Sequence, residues 1–266
     1  MDLFAFVQSV VLGLVEGLTE FLPISSTGHL IIAQELLNYT GEQAKTFSIC
    51  IQLGAILAVC WYYRERLLRV VFGLQTEAWA RQFVVNLIIA VLPSGVFGLL
   101  LHKFIKAYLF SPLIVATTLV LGGLVIFWVE RKERAPRITD VDQMTWVDAL
   151  KLGFAQVLSM IPGTSRSGAT IIGGMLFGLS RKAATEFSFF LAIPTMFLAT
   201  GYDLFKSWGH LSGADIPFFA VGFITAFFSA LLAIKGLLHY VAHHDFRLFA
   251  WYRVVFGLIV LVYFLR

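Results

Sequence analysis

Six runs of apolar residues dominate the chain, each close to the roughly 20 residues that carry a helix across a bilayer: Thr46–Tyr63, Gln82–Leu101, Ser111–Val129, Thr185–Leu204, Ile216–Leu238 and Leu248–Leu265. A soluble fold cannot hide that much continuous apolar surface. The chain is 59% hydrophobic and 14% charged, against roughly 45–50% and about 25% in soluble domains. It therefore reads as one all-α membrane domain over residues 1–266, in contact with the bilayer and with no room for a separate soluble domain. The formal net charge of +4 does not indicate nucleic acid, because Lys and Arg fall in small clusters between apolar runs, where the positive-inside rule puts them. No basic segment precedes the first apolar run, so a cleaved signal peptide is not expected. Cys50 and Cys60 share one run, separated by about 15 Å of helix, which is beyond disulfide reach.

Two further stretches, Asp2–Leu37 and Met144–Leu179, are apolar but interrupted by knots of Pro, Gly, Ser and Thr. Broken backbone is tolerated at membrane depth only where protein or a water-filled cavity satisfies it. Each stretch is thus expected to be a re-entrant helical hairpin whose arms do not cross separately. The two match without gaps at an offset of 140: Gly13/Gly153, Leu18/Leu158, Ser25/Ser165, Gly28/Gly168, Ile31/Ile171 and Phe47/Phe187 among others. The chain is then an internal repeat, repeat one about residues 1–130 and repeat two about 144–266. Each half is one hairpin plus three transmembrane helices, and three crossings invert the second half relative to the first. Arg64, Arg66, Arg69, Arg81, Arg131, Lys132, Arg134, Arg137, Arg181, Lys182, Lys235 and Arg247 fall on one side, and Lys45, Lys103, Lys106, Lys206 and Arg266 on the other. That bias puts the first group in the cytoplasm and both termini outside.

Ionisable groups at membrane depth cost at least about 2.5–3.5 kcal/mol each, and so mark function by default. Glu16 and Glu20, four apart, share a helix face, where two carboxylates repel unless a cation or a shared proton intervenes. The first knot packs Ser25, Ser26, Thr27 and His29 around Gly28. Its hydroxyls serve equally as helix caps or, with a base, as a nucleophile, and His29 could attack, act as acid or base, or simply hold structure. The second knot sets Arg166 between Ser165 and Ser167, with Thr170 one turn on. A guanidinium fork, hydroxyls and the free N–H groups of a helix start are the parts of a phosphate site. An ion pair of Arg166 with Glu16 or Glu20 is the alternative.

Glu16-Gly17-Leu18-Thr19-Glu20-Phe21-Leu22-Pro23 with Ser25-Ser26-Thr27-Gly28-His29, and Pro162-Gly163-Thr164-Ser165-Arg166-Ser167-Gly168-Ala169-Thr170, closely resemble the two signature regions of the undecaprenyl-diphosphate phosphatase family, also called the bacitracin-resistance family. The resemblance extends over nearly the whole chain. It implies an enzyme of the bacterial inner membrane that removes the terminal phosphate of undecaprenyl diphosphate at a site facing the periplasm. It also implies a divalent cation, magnesium or calcium, and tolerance to bacitracin. Carried onto this chain, the catalytic set is Glu16, Glu20, Ser26, His29 and Arg166, with Glu16 and Glu20 as metal ligands. Ser25, Thr27, Ser165, Arg166, Ser167 and Thr170 would bind substrate. Ser26 assisted by Glu20 or His29, or direct attack by His29, are the two nucleophile readings. A homodimer is compatible with this expectation. The rival function is a flippase for the lipid monophosphate, since inverted repeats with broken helices are also a transporter plan.

Overall fold

The computed structural model describes residues 1–109, 111–132, 134–207 and 215–265. Arg266, one of the expected outer-face charges, lies outside them. Among the described residues the chain forms eleven α-helices: α1 Leu3–Glu20, α2 Ser26–Leu36, α3 Glu42–Tyr62, α4 Arg64–Gly73, α5 Ala78–Phe104, α6 Pro112–Glu130, α7 Trp146–Val157, α8 Arg166–Leu176, α9 Arg181–Ser207, α10 Ile216–Val241 and α11 Arg247–Phe264. Seven of these (α1, α3, α5, α6, α9, α10, α11) are long and apolar enough to cross a membrane.

The local chemistry that starts these helices is visible in the sequence. Asp2 caps α1 by accepting from the Ala5 N–H at 2.7 Å. Ser111 does the same for Ile114 at 3.2 Å, with Pro112 in the first turn where a missing N–H costs nothing. A capping box between Thr145 and Asp148 opens α7, and Arg137 pairs with the buried Asp148.

The first arm of the Asp2–Leu37 stretch, α1, runs 18 residues, about 27 Å, and by length and composition adds a seventh candidate span to the six expected. The basic cluster Arg64–Arg69 between two apolar runs lies on a helix, α4, whose Leu67 and Val70 turn inward while Arg64, Leu68 and Arg69 stay exposed. Clustered charge concealed an amphipathic period.

Small residues set the helix pairing. α1 lies along α10, with Gly13 against the Gly222 carbonyl and Gly17 against Ala226 O and Ser229. α7 lies along α5 in the same manner, Gly153 meeting Ala90 O and the Pro93 ring. α6 crosses α11, and α3 bridges α9 and α10. A buried layer of Phe21, Phe187, Phe189 and Phe190 fills the centre. Between the arms α1/α2 and α7/α8, the two knots converge in the interior.

Candidate active site

Each knot ends in a serine held in the left-handed region, Ser25 at φ 72° and Ser165 at φ 73°. Non-glycine residues avoid this conformation at a cost of order 1–3 kcal/mol, and its recurrence at matched positions aims both following helices into one space. The knots touch directly. Ser167 Oγ donates to Leu22 O at 2.8 Å. Arg253, 1% exposed, spends every guanidinium N–H on a carbonyl: Nη1 on Pro23 O and Thr164 O at 3.0 Å, Nη2 on Thr118 O and Gly163 O at 3.1 Å, and Nε on Leu119 O at 3.2 Å. One side chain thereby ties both knots to α6.

The charged groups meet on the other side of this clamp. Glu16 and Glu20, 1% and 7% exposed, project from the last turns of α1. Ser26 Oγ, in the first turn of α2, donates to Glu20 Oε2 at 2.5 Å. Arg166, in the first turn of α8, donates from Nη2 to Glu20 Oε1 at 3.3 Å and from Nη1 to Ser188 O at 2.9 Å. Glu16 Oε1 and Arg166 Nε are buried without a hydrogen-bond partner. Orphaned buried groups are costly, about 1–3 kcal/mol or more, so two of them beside Glu20 mark the cluster as fit to hold an ionic ligand. The matched position in the second half makes the contrast: Gln156 donates from Nε2 to Ser94 Oγ at 2.7 Å and Thr195 Oγ1 at 3.3 Å.

The remaining sequence candidates separate into those near this centre and those used elsewhere. Ser165 Oγ caps α8 by accepting from the Gly168 N–H at 3.0 Å. Thr170 Oγ1 donates to Arg166 O at 2.9 Å and lies 2.7 Å from Ser188 Oγ, bracing the arginine's helix. α2, by contrast, has no side-chain cap, which leaves the first N–H groups of its positive end for an anion. Ser25 forms that turn and is buried, whereas Thr27 is exposed. His29 faces away from the Ser26–Glu20 pair. Its Nδ1 is 2.7 Å from Ser25 O, its Nε2 is 2.6 Å from the Tyr252 hydroxyl, and its ring stacks on Phe256. The sequence reading overlooked Arg253, Tyr252, Phe256 and Ser188. For Arg253 the signal was present, a lone cation inside the apolar run Leu248–Leu265, which membrane energetics marks as functional.

These features define a multi-pass helical membrane protein with an interior acid–hydroxyl–guanidinium cluster at two converging helix breaks. The chain matches the family model described as bacitracin resistance protein BacA over residues 9–259. It is 60% identical to the undecaprenyl-diphosphatase of Methylococcus capsulatus over 96% of this chain and 94% of that one. It is also 60% identical to the undecaprenyl-diphosphatase of Aromatoleum aromaticum (98% and 95% covered) and to undecaprenyl-diphosphatase 2 of Rhodospirillum rubrum (98% and 96%). The chain belongs to the bacitracin resistance protein BacA family.

Proposed function

We infer that this protein is a hydrolase of the bacterial membrane that cleaves undecaprenyl diphosphate to undecaprenyl phosphate and inorganic phosphate, returning the lipid carrier to cell-wall synthesis and conferring bacitracin tolerance. The observation that carries the chemistry is the 2.5 Å contact between Ser26 Oγ and Glu20 Oε2 beside Arg166. It has the form of a nucleophile, its base and an anion clamp.

In this reading the terminal phosphate sits between Arg166 and the uncapped start of α2. Glu20 takes the Ser26 proton as Oγ bonds to the terminal phosphorus, and the bond from that phosphorus to the bridging oxygen breaks, releasing the lipid monophosphate. Water then bonds to the seryl phosphorus, the P–Oγ bond breaks, and the proton returns from Glu20 to Ser26. Arg166 Nε–H, buried without a partner, would give the phosphoryl oxygens a further donor, and such positioning supplies most of phosphoryl-transfer catalysis. His29, with both ring nitrogens occupied, steadies the turn that presents Ser26. That favours the serine over direct histidine attack.

Among the described residues no three His, Cys, Asp or Glu side chains cluster as a metal cage. The orphaned Glu16 Oε1 and the neighbouring Glu20 nevertheless fit a magnesium or calcium ion that takes its remaining ligands from diphosphate and water. Bound there, the ion would offset the negative charge of the substrate.

We assign the two interrupted segments to inverted, re-entrant hairpins in the inner membrane, with the site opening to the periplasm. The matched pairing of α1 with α10 and α7 with α5, the shared Ser25 and Ser165 conformation, and the uneven distribution of Lys and Arg between the connections support this topology.

Phosphate release from undecaprenyl diphosphate by the purified protein in detergent tests the function, because detergent abolishes transport across a bilayer but not hydrolysis. Wild type should release phosphate and Ser26→Ala should lose at least about 100-fold. A folded wild-type protein that releases none, yet moves polyprenyl phosphate across vesicles, overturns the assignment.

A further inference from the structure

A cavity of about 640 Å³ lies between the α3–α4 junction and α10 and shares no lining residue with the cluster of Glu16, Glu20, Ser26 and Arg166. Its charge is lopsided. Among the described residues, Arg64, Arg66, Arg69 and Lys235 line it against the single carboxylate of Glu65. Arg66 is neutralised by Asp142 at 2.5 Å, and Arg64 approaches Glu65 only to 3.8 Å, with the Glu65 side chain 84% exposed. Arg69 and Lys235, both exposed, have no carboxylate partner among the described residues. Glu186, the other carboxylate close enough to act on Tyr63, does not line the cavity.

Hydrogen-bond donors are left over here as well. The Tyr63 hydroxyl and Arg66 Nε, on two residues that line the cavity, are buried without a partner, a condition folded proteins rarely tolerate. No side chain caps α4, which starts at Arg64 and runs 10 residues, so its first N–H groups and positive end add to the same field. The rim has the chemistry of a membrane interface. The Arg64 guanidinium packs over the Trp61 ring at 5.0 Å and donates from Nη1 to Trp61 O at 3.1 Å. Leu232 and Phe228, 70% and 59% exposed, continue the face of Lys235 one and two turns deeper along α10. A basic pocket therefore runs on into an apolar track.

We propose that this cavity binds the phosphate headgroup of an anionic phospholipid, with an acyl chain lying along Leu232 and Phe228. The inference goes beyond the phosphatase reading and does not depend on it. A zwitterionic lipid brings its own cation into a pocket already in cationic excess, and a free phosphate makes no use of the apolar track. A lipid of net negative charge matches both ends. Basic residues next to a spanning helix attract anionic lipid by about fivefold for each Lys or Arg. Bound there, the lipid bridges α4 and α10 on the face that the basic clusters assign to the cytoplasm.

Photolabelling of the full-length protein in an uncharged detergent tests it. A benzoylphenylalanine in place of Leu232 should label radioactive phosphatidylglycerol; excess unlabelled phosphatidylglycerol should compete, while phosphatidylcholine and glycerol phosphate should not. Arg69→Gln combined with Lys235→Gln should raise the half-saturating phosphatidylglycerol concentration at least about tenfold, with the unfolding midpoint in lipid-free detergent unchanged. Each single substitution should raise it about fivefold, which keeps the test open if the pair fails to fold. Lys132→Gln combined with Arg134→Gln removes the same charge outside the cavity and should leave labelling as it is. Equal competition by phosphatidylcholine, an equal loss in both pairs, or no labelling overturns the proposal, and competition by glycerol phosphate replaces the lipid with a soluble phosphate. Phosphate release from undecaprenyl diphosphate, followed in parallel, reports on the phosphatase assignment alone.

Discussion

Ser26, Glu20 and Arg166 form a chain of contacts in which each member restrains the next. Glu20→Gln keeps the size of the side chain but removes the base, so phosphate release should fall by about 10²–10⁴-fold with the thermal midpoint nearly unchanged. His29→Gln should cost far less, because His29 contacts Ser25 O and Tyr252 rather than Ser26 or Glu20. Comparing the two rates by phosphate assay separates the serine route from histidine attack. Arg253→Lys replaces five directed N–H donors by three, stranding carbonyls from both knots. A loss of about 2 kcal/mol or more should appear as a lower unfolding temperature in detergent. At this scale the sequence was informative about residue types and mute about pairing. Two carboxylates one turn apart, a hydroxyl cluster and an intramembrane arginine were legible as chemistry. That Ser26 would choose Glu20 over His29 depends on a left-handed Ser25 turning α2, which no local pattern reveals.

Helix contacts are governed by where a side chain is absent. A Cβ at Gly17 would run into Ser229 and the backbone of Ala226 and Ala230, while one at Gly236 in α10 would meet open space. Gly17→Ala should therefore push α1 off α10, lower stability by about 1–3 kcal/mol and reduce activity through the displaced Glu16 and Glu20. Gly236→Ala should be neutral or slightly stabilising. Melting curves with parallel phosphate assays check both. The apolar runs located α3, α5, α6, α9, α10 and α11 because a membrane span is a compositional signal. α1 and α4 were less legible: α1 leads into a polar knot that makes the whole Asp2–Leu37 stretch read as interrupted, and α4 is a short helix whose charged face keeps it from registering as an apolar run.

The molecule as a whole brings together residues 146 positions apart in sequence, Glu20 and Arg166, at 3.3 Å. The matched knots made a convergence of this kind expected, but the clamp through Arg253 belongs to tertiary packing alone. A double-mutant cycle on phosphate release, with Glu20→Gln and Arg166→Gln separately and combined in the purified protein, tests whether these two knots make one site. The doubly substituted protein should be no slower than the slower single variant, because either change already disables the shared unit. Losses that multiply would mean that the carboxylate and the guanidinium act independently, contradicting a single chamber built from both knots.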